Sequence, residues 1–294
     1  MVNRATNGQV FSLEDGLGFR RIARTNDACN ELLELAPALS AQPLVEEAIR
    51  DQAACIGRLN YPSVTSANRI ERGNGVLRIV SEIPPGIRLS DLLEYLGSVR
   101  GLAPEPAIFE LVTLVINAVA ALHANTGGLA HGAISPAHVL LADDGRVVLT
   151  DCVFGPAFET LQCNREQLWK EFGLAMPAAA SLSRFDQQTD VTQMGALVLA
   201  IALRRPLRLA EYPHDVPELI LEASKAFLPG MPMPAPDICT WFQKTLQVHP
   251  RLAFRSAVEA QRSFIEITST DGGRPPGAMA LQMLVNAARS KPLP

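Results

Sequence analysis

The sequence predicts an α+β chain, with a small, mostly β N-terminal part carrying one helix and a larger, mostly α-helical C-terminal part. Two observations carry this. Short apolar runs separated by Gly and Asp turns dominate the region before Ile83, with the amphipathic segment Pro43–Leu59 among them. Beyond Pro84 the apolar spacing is mainly helical, and strands followed by helices make an α+β architecture.

Val10–Phe11, Phe19–Ala23 and Glu31–Leu35 read as strands, with turns at Asp15-Gly16 and Gly18. Pro43 suits a first helical turn, and Leu44, Ala48, Ile49, Ala53, Ile56 and Leu59 share a face of the helix that Asn60-Tyr61-Pro62 ends. Val64–Ile70 and Leu77–Ser81 pair around Arg72-Gly73-Asn74-Gly75. Ser90 is expected to cap a helix over Asp91–Leu96. Pro106–Asn125 buries Ile108, Leu111, Val112, Val115, Val119 and Leu122.

Leu129–Gly155 organises the rest. Pro136 excludes a helix interior, so His131–Pro136 is a loop. Val139–Leu141 and Arg146–Thr150 are strands joined by the turn Asp143-Asp144-Gly145-Arg146, and the second delivers Asp151 at its end. Helices follow near Arg165–Phe172, over Val191–Leu203 (apolar nearly all round, so a core helix) and over Ile238–Val248. Residues 268–294 turn polar around Gly272-Gly273 and Pro275-Pro276, with a short helix expected over Ala278–Ala288, and read as a weakly packed linker or tail.

The chain has 294 residues, 48% of them apolar, enough for a sizeable core. A net charge of −4 gives no reason to expect a nucleic-acid partner. Five scattered cysteines with no CxxC argue against a zinc site or a disulfide framework. No charged-then-apolar leader pattern is present, and Val191–Leu203 is too short to span a bilayer, which needs ~20 residues. A cytoplasmic location and no membrane segment are expected.

The order of these elements resembles that of protein kinases, the bacterial serine/threonine type included. His131, Pro136 and Asp151 stand where that family carries the His and Pro of its catalytic loop and its metal-binding Asp. The resemblance implies a bilobal fold, with an N-lobe over 1–83 and a C-lobe over 84–267. It makes Pro43–Leu59 the family's helix C, with Gln52 at its ion-pairing Glu. It makes Ser81 the gatekeeper, Glu82 the hinge acid, and Pro84 the residue whose N–H would meet adenine. Proline has no N–H. Asp190 stands where an Asp bonds the catalytic-loop backbone. Arg255 stands where an Arg pairs with an acid that is missing here, leaving backbone carbonyls or Asp186 as its expected partners.

The chemistry is largely replaced. Ala133 takes the place of the catalytic Asp, Ser135 that of a Lys, His138 that of the metal-binding Asn, and Gly132 that of the loop Arg. Cys152 replaces a packing Phe. No Gly-rich phosphate loop is present, and no Lys precedes Lys170. Thr160, Ser181 and Ser183 are candidate phospho-acceptors, but without the loop Arg the usual phospho-control is not expected.

The expectation is a pseudokinase that binds another protein through its C-lobe groove and needs no cofactor, with His131, Asp190, Arg255, Gln52 and Cys152 structural. The alternative is an atypical serine/threonine kinase or nucleotide-binding protein. It would use ATP and Mg²⁺ through Asp151, with His138 as a second metal ligand, Ser81 and Glu82 at the base, and Arg20 or Arg21 near phosphates.

Overall fold

The computed structural model describes residues 9–24, 29–59, 61–99, 104–178, 184–227, 236–269 and 277–290. The N-lobe is an antiparallel sheet in the order β1-β2-β3-β5-β4. It is built from β1 (Gln9–Asp15), β2 (Gly18–Arg24), β3 (Cys29–Leu35), β4 (Ala67–Gly73) and β5 (Val76–Ile83). Between β3 and β4 lie the short α1 (Pro37–Ser40) and the amphipathic α2 (Pro43–Gly57), which buries Val45, Ile49, Gln52 and Ile56. Alternation puts Cys29, Glu31, Leu33 and Leu35 on one buried face of β3.

The C-lobe opens with a three-stranded sheet of β6 (Gly86–Arg88), β7 (Val139–Ala142) and β8 (Val147–Leu149). Its helices are α3 (Leu89–Ser98), α4 (Glu105–Asn125), α5 (Gly155–Thr160), α6 (Arg165–Phe172), α7 (Gln187–Leu203), α8 (Val216–Phe227), α9 (Pro236–Thr245), α10 (Ala257–Ser269) and α11 (Ala278–Ser290). By length and composition α4 could cross a membrane, but it packs against α7, α10 and α11 in the C-lobe core. α6 has a complete capping box, Asn164 with Gln167, and ends at Gly173 in the left-handed region.

Three expectations need correction. Residues 268–294 are not all a weakly packed tail: α11 buries Leu281, Leu284, Val285 and Ala288 in the main core against α4. Its apolar residues recur at helical spacing, and that face needs cover. Ser90 is not a helix cap, because α3 starts one residue earlier after Arg88. α5 was not anticipated, since Gly155-Pro156 reads as a break although Pro also suits a first helical turn. Ser181 and Ser183 lie outside the described residues.

A second core joins the lobes. Leu33, Ile49, Ile56 and Leu77 from the N-lobe cluster with Ala133, Cys152, Phe154, Phe158, Leu168 and Met176 from the C-lobe. The β1–β2 turn belongs to it as well. Leu17 is buried there, and Gly16 lies so close to the end of α6 that a Cβ would sit 2.0 Å from the Glu171 carbonyl oxygen.

Candidate functional site

The loop 131–138 is held from below by α7. The Asp190 carboxylate accepts the His131 N–H and the Gly132 N–H, each at 2.7 Å, and its Oδ2 lies 2.9 Å from His123 Nε2. Gln193, one turn further on, accepts the Ile134 N–H and donates to the Gly132 carbonyl. Buried backbone groups of an irregular loop need such partners, and one helix face supplies them. Gly132 adopts φ +74°, and a Cβ there would meet the Gly155 Cα at 2.4 Å. No side chain fits in that gap.

Ala133 is fully buried, and its N–H donates to His131 Nδ1. Its carbonyl lies 2.6 Å from His138 Nδ1, which therefore carries a hydrogen; Ser135 Oγ is 3.2 Å from the same nitrogen. Burial pushes the His131 pKa down to about 4 and lowers that of His138, so both rings are neutral near pH 7. Gln52 donates to the Cys152 carbonyl at 3.4 Å, and burial raises the pKa of the enclosed Cys152 thiol.

Asp151 sits after β8 with φ +64°, a conformation Asp tolerates better than most residues. Both of its oxygens are engaged. Oδ2 accepts from Thr150 Oγ1 at 2.9 Å, and Oδ1 accepts from Arg20 Nη1 at 3.2 Å. Arg20 is itself enclosed: Nε donates to Asp15 Oδ2 at 2.7 Å and Nη1 to Glu31 Oε1 at 2.5 Å. Glu31 is shared with Arg88, which also donates to the Ala137 carbonyl and lies 3.4 Å from Thr150 Oγ1. Burial opposes the charge on Asp151, but Arg20 first, and Arg88 with it, hold its pKa well below the usual carboxylate value. Burial likewise opposes the charge on Arg20, while Asp151, Glu31 and Asp15 keep its pKa above its ordinary value.

The space between the lobes is thus filled by ion pairs beside apolar contacts, in which Cys29 and Ile83 of the N-lobe cluster with Leu140, Ala142 and Val148 of β7 and β8. Ser81 is half-buried opposite Glu31 across the β3–β5 pairing, whereas Glu82, one residue on, is exposed. Glu82 therefore does not bring its carboxylate to the cleft. Arg21 also points away, pairing with Glu34 on the exposed face of the sheet. Among the described residues no group of three or more His, Cys, Asp or Glu side chains could hold a metal ion. Arg255 needs correction too. Its side chain is exposed, and Asp186 caps α7 by accepting the Thr189 N–H.

Glu31, Arg88 and Asp15 were missed in the sequence. Strand parity offered a signal, because Arg20 and Glu31 both take inward positions on adjacent antiparallel strands. Below the cleft, a cavity of about 330 Å³ opens between α3, α6 and α7. Ile134, Pro136, Trp169, Leu197 and Leu207 line it, with Lys170 also contributing.

The neutral histidines make stability pH-dependent. A histidine with a depressed folded pKa stabilises fully above its unfolded value, 6.5, and that contribution is lost as pH falls toward the folded value, about 4 for His131. Urea unfolding is expected to show stability falling between pH 6.5 and 4, by up to about 1.4 kcal/mol per pH unit from His131, with His138 acting in the same direction. Asp151 adds a second loss below its ordinary value, 3.8. A flat profile from pH 6.5 to 4 would contradict the buried neutral rings.

No protein-family model matches the chain. A probable serine/threonine-protein kinase of Streptomyces coelicolor is 26% identical over 251 residues, covering 82% of this chain and 36% of that protein. Mitogen-activated protein kinase kinase kinase 3 of Arabidopsis thaliana is 23% identical over 239 residues, covering 79% and 35%. The chain thus spans about a third of the length of these curated relatives. The Mycobacterium tuberculosis PknI kinase domain superposes with a TM-score of 0.61 at 18% identity, over 90% of this chain and 97% of that domain. The maize SIRK1 kinase domain bound to AMP-PNP gives 0.58 at 17%, over 92% and 96%. Two lobes meeting at an Asp-ended strand, a loop hung from a helix Asp, and these superpositions lead to one statement: the chain has the protein-kinase fold.

Proposed function

We propose that this chain is a pseudokinase module that binds another protein and does not transfer phosphoryl groups. One observation carries the reading: the cleft between the lobes is filled by the Arg20, Glu31, Arg88 and Asp151 side chains. Mg²⁺ with a nucleotide does not fit these residues as they stand. Phosphoryl transfer is almost entirely positioning and charge stabilisation. Asp151 is neutralised by Arg20, Ala133 has no group to orient a hydroxyl, and His138 gives its Nδ1–H to a carbonyl. Pro84 offers no N–H to a base.

The cavity between α3, α6 and α7 supports the partner half of the reading. Concave, mostly apolar sites of this size suit an anchoring side chain. The partner is a protein docking on that C-lobe groove.

The test is thermal unfolding with and without millimolar ATP and Mg²⁺. A ligand of the folded state must raise apparent stability, by ~2.7 kcal/mol at one hundred times its dissociation constant. The expected result is no shift. A rise that disappears in Asp151→Ala would overturn the proposal in favour of a nucleotide-using protein.

A further inference from the structure

We infer that Arg20, Glu31, Arg88 and Asp151 form an intrachain latch that holds the two lobes closed, and that breaking it opens the cleft. The inference goes beyond the functional reading, since it concerns how the closed state is held, whatever the module binds.

The connectivity is that of a latch. Arg20 on β2 reaches carboxylates at the end of β1, on β3 and, across the cleft, after β8. Glu31 then passes the link to Arg88, which is tied to the C-lobe through the Ala137 carbonyl. Two guanidiniums and one shared carboxylate therefore cross-link N-lobe strands to the loop 131–138 and to Asp151.

Ion pairs make a fastening that can open. Taking charges out of water is costly, and this cluster does so imperfectly: Arg20 Nη2, Arg88 Nε and His138 Nε2 are buried without a hydrogen-bond partner. Asp15 Oδ2 is the carboxylate nearest the His138 ring nitrogen, at 3.9 Å. Water entering the cleft would satisfy all three nitrogens at once. An apolar seal would gain nothing from water. The lobes also share apolar clusters around Leu33 and around Cys29, so the ion pairs are the part of the closure that gains from water, and removing one ion is expected to loosen it.

Cys152 reports on the latch. It follows Asp151, is fully buried, and packs in the core shared by the lobes. Cys239 lies in the separate C-lobe core and reports on global unfolding. The experiment is timed thiol labelling of the full chain, read at each cysteine by mass spectrometry, for wild type, Arg20→Gln, Glu31→Gln and Arg21→Gln. Arg21→Gln removes an exposed ion pair from the same strand and serves as control. The expected result is at least tenfold faster labelling of Cys152 in Arg20→Gln and Glu31→Gln, with Cys239 within twofold of wild type and no change in Arg21→Gln. Three results would overturn the latch: Cys152 protected as in wild type in both cleft variants, Cys152 and Cys239 accelerating in step, or Arg21→Gln exposing Cys152 equally.

Discussion

Asp190→Ala is expected to cost about 3–5 kcal/mol of unfolding free energy, a large share of the roughly 5–15 kcal/mol that a domain possesses. The Asp190 carboxylate is completely buried, and the His131 N–H, the Gly132 N–H and His123 Nε2 converge on it. Removing it strands two backbone donors that water cannot reach, each at about 1–3 kcal/mol. Asp190→Asn keeps one acceptor oxygen and should fall between wild type and Ala. Urea unfolding followed by Trp241 fluorescence measures both, because Trp241 sits in the C-lobe core. A loss under about 1 kcal/mol for Asp190→Ala would mean that the loop does not depend on α7, contrary to the order of effects these contacts imply.

Gly132→Arg installs the side chain that the kinase resemblance places at this loop position. It is expected to destabilise the chain rather than restore a function. At φ +74° any side chain is strained by roughly 1–2 kcal/mol. The new Cβ would lie 2.4 Å from the Gly155 Cα, so the start of α5 must move, at a further ~1–3 kcal/mol. Gly132→Ala isolates this part of the effect, with about 2–5 kcal/mol lost and a correspondingly lower thermal midpoint. A Gly132→Arg protein as stable as wild type would show that the loop and α5 can separate without cost.

Local pattern made much of this molecule legible. Helix-spaced apolar residues located α2, α4 and α7 to within a turn or so, because a helix face that must be buried writes its period into the chain. The residue types at Ala133 and His138, and the absence of any Lys before Lys170, required no coordinates. The helix of the tail was legible but its packing was misjudged, because its burial depends on a partner face on α4. Arg255 was misassigned because a residue's place in a motif does not say where its side chain points once its usual partner is gone.

What the sequence by itself determined is most of the strands, the longest helices and which residue types stand at the loop positions, since these depend on residue identity and short-range spacing. What only the tertiary structure decided is what fills the cleft. Arg20 and Asp151 are 131 residues apart, and Glu31 meets Arg88 across 57. Those pairings follow from strand order and from the closing of one lobe on the other. A charge's partner is set by distance in space, which no local period encodes.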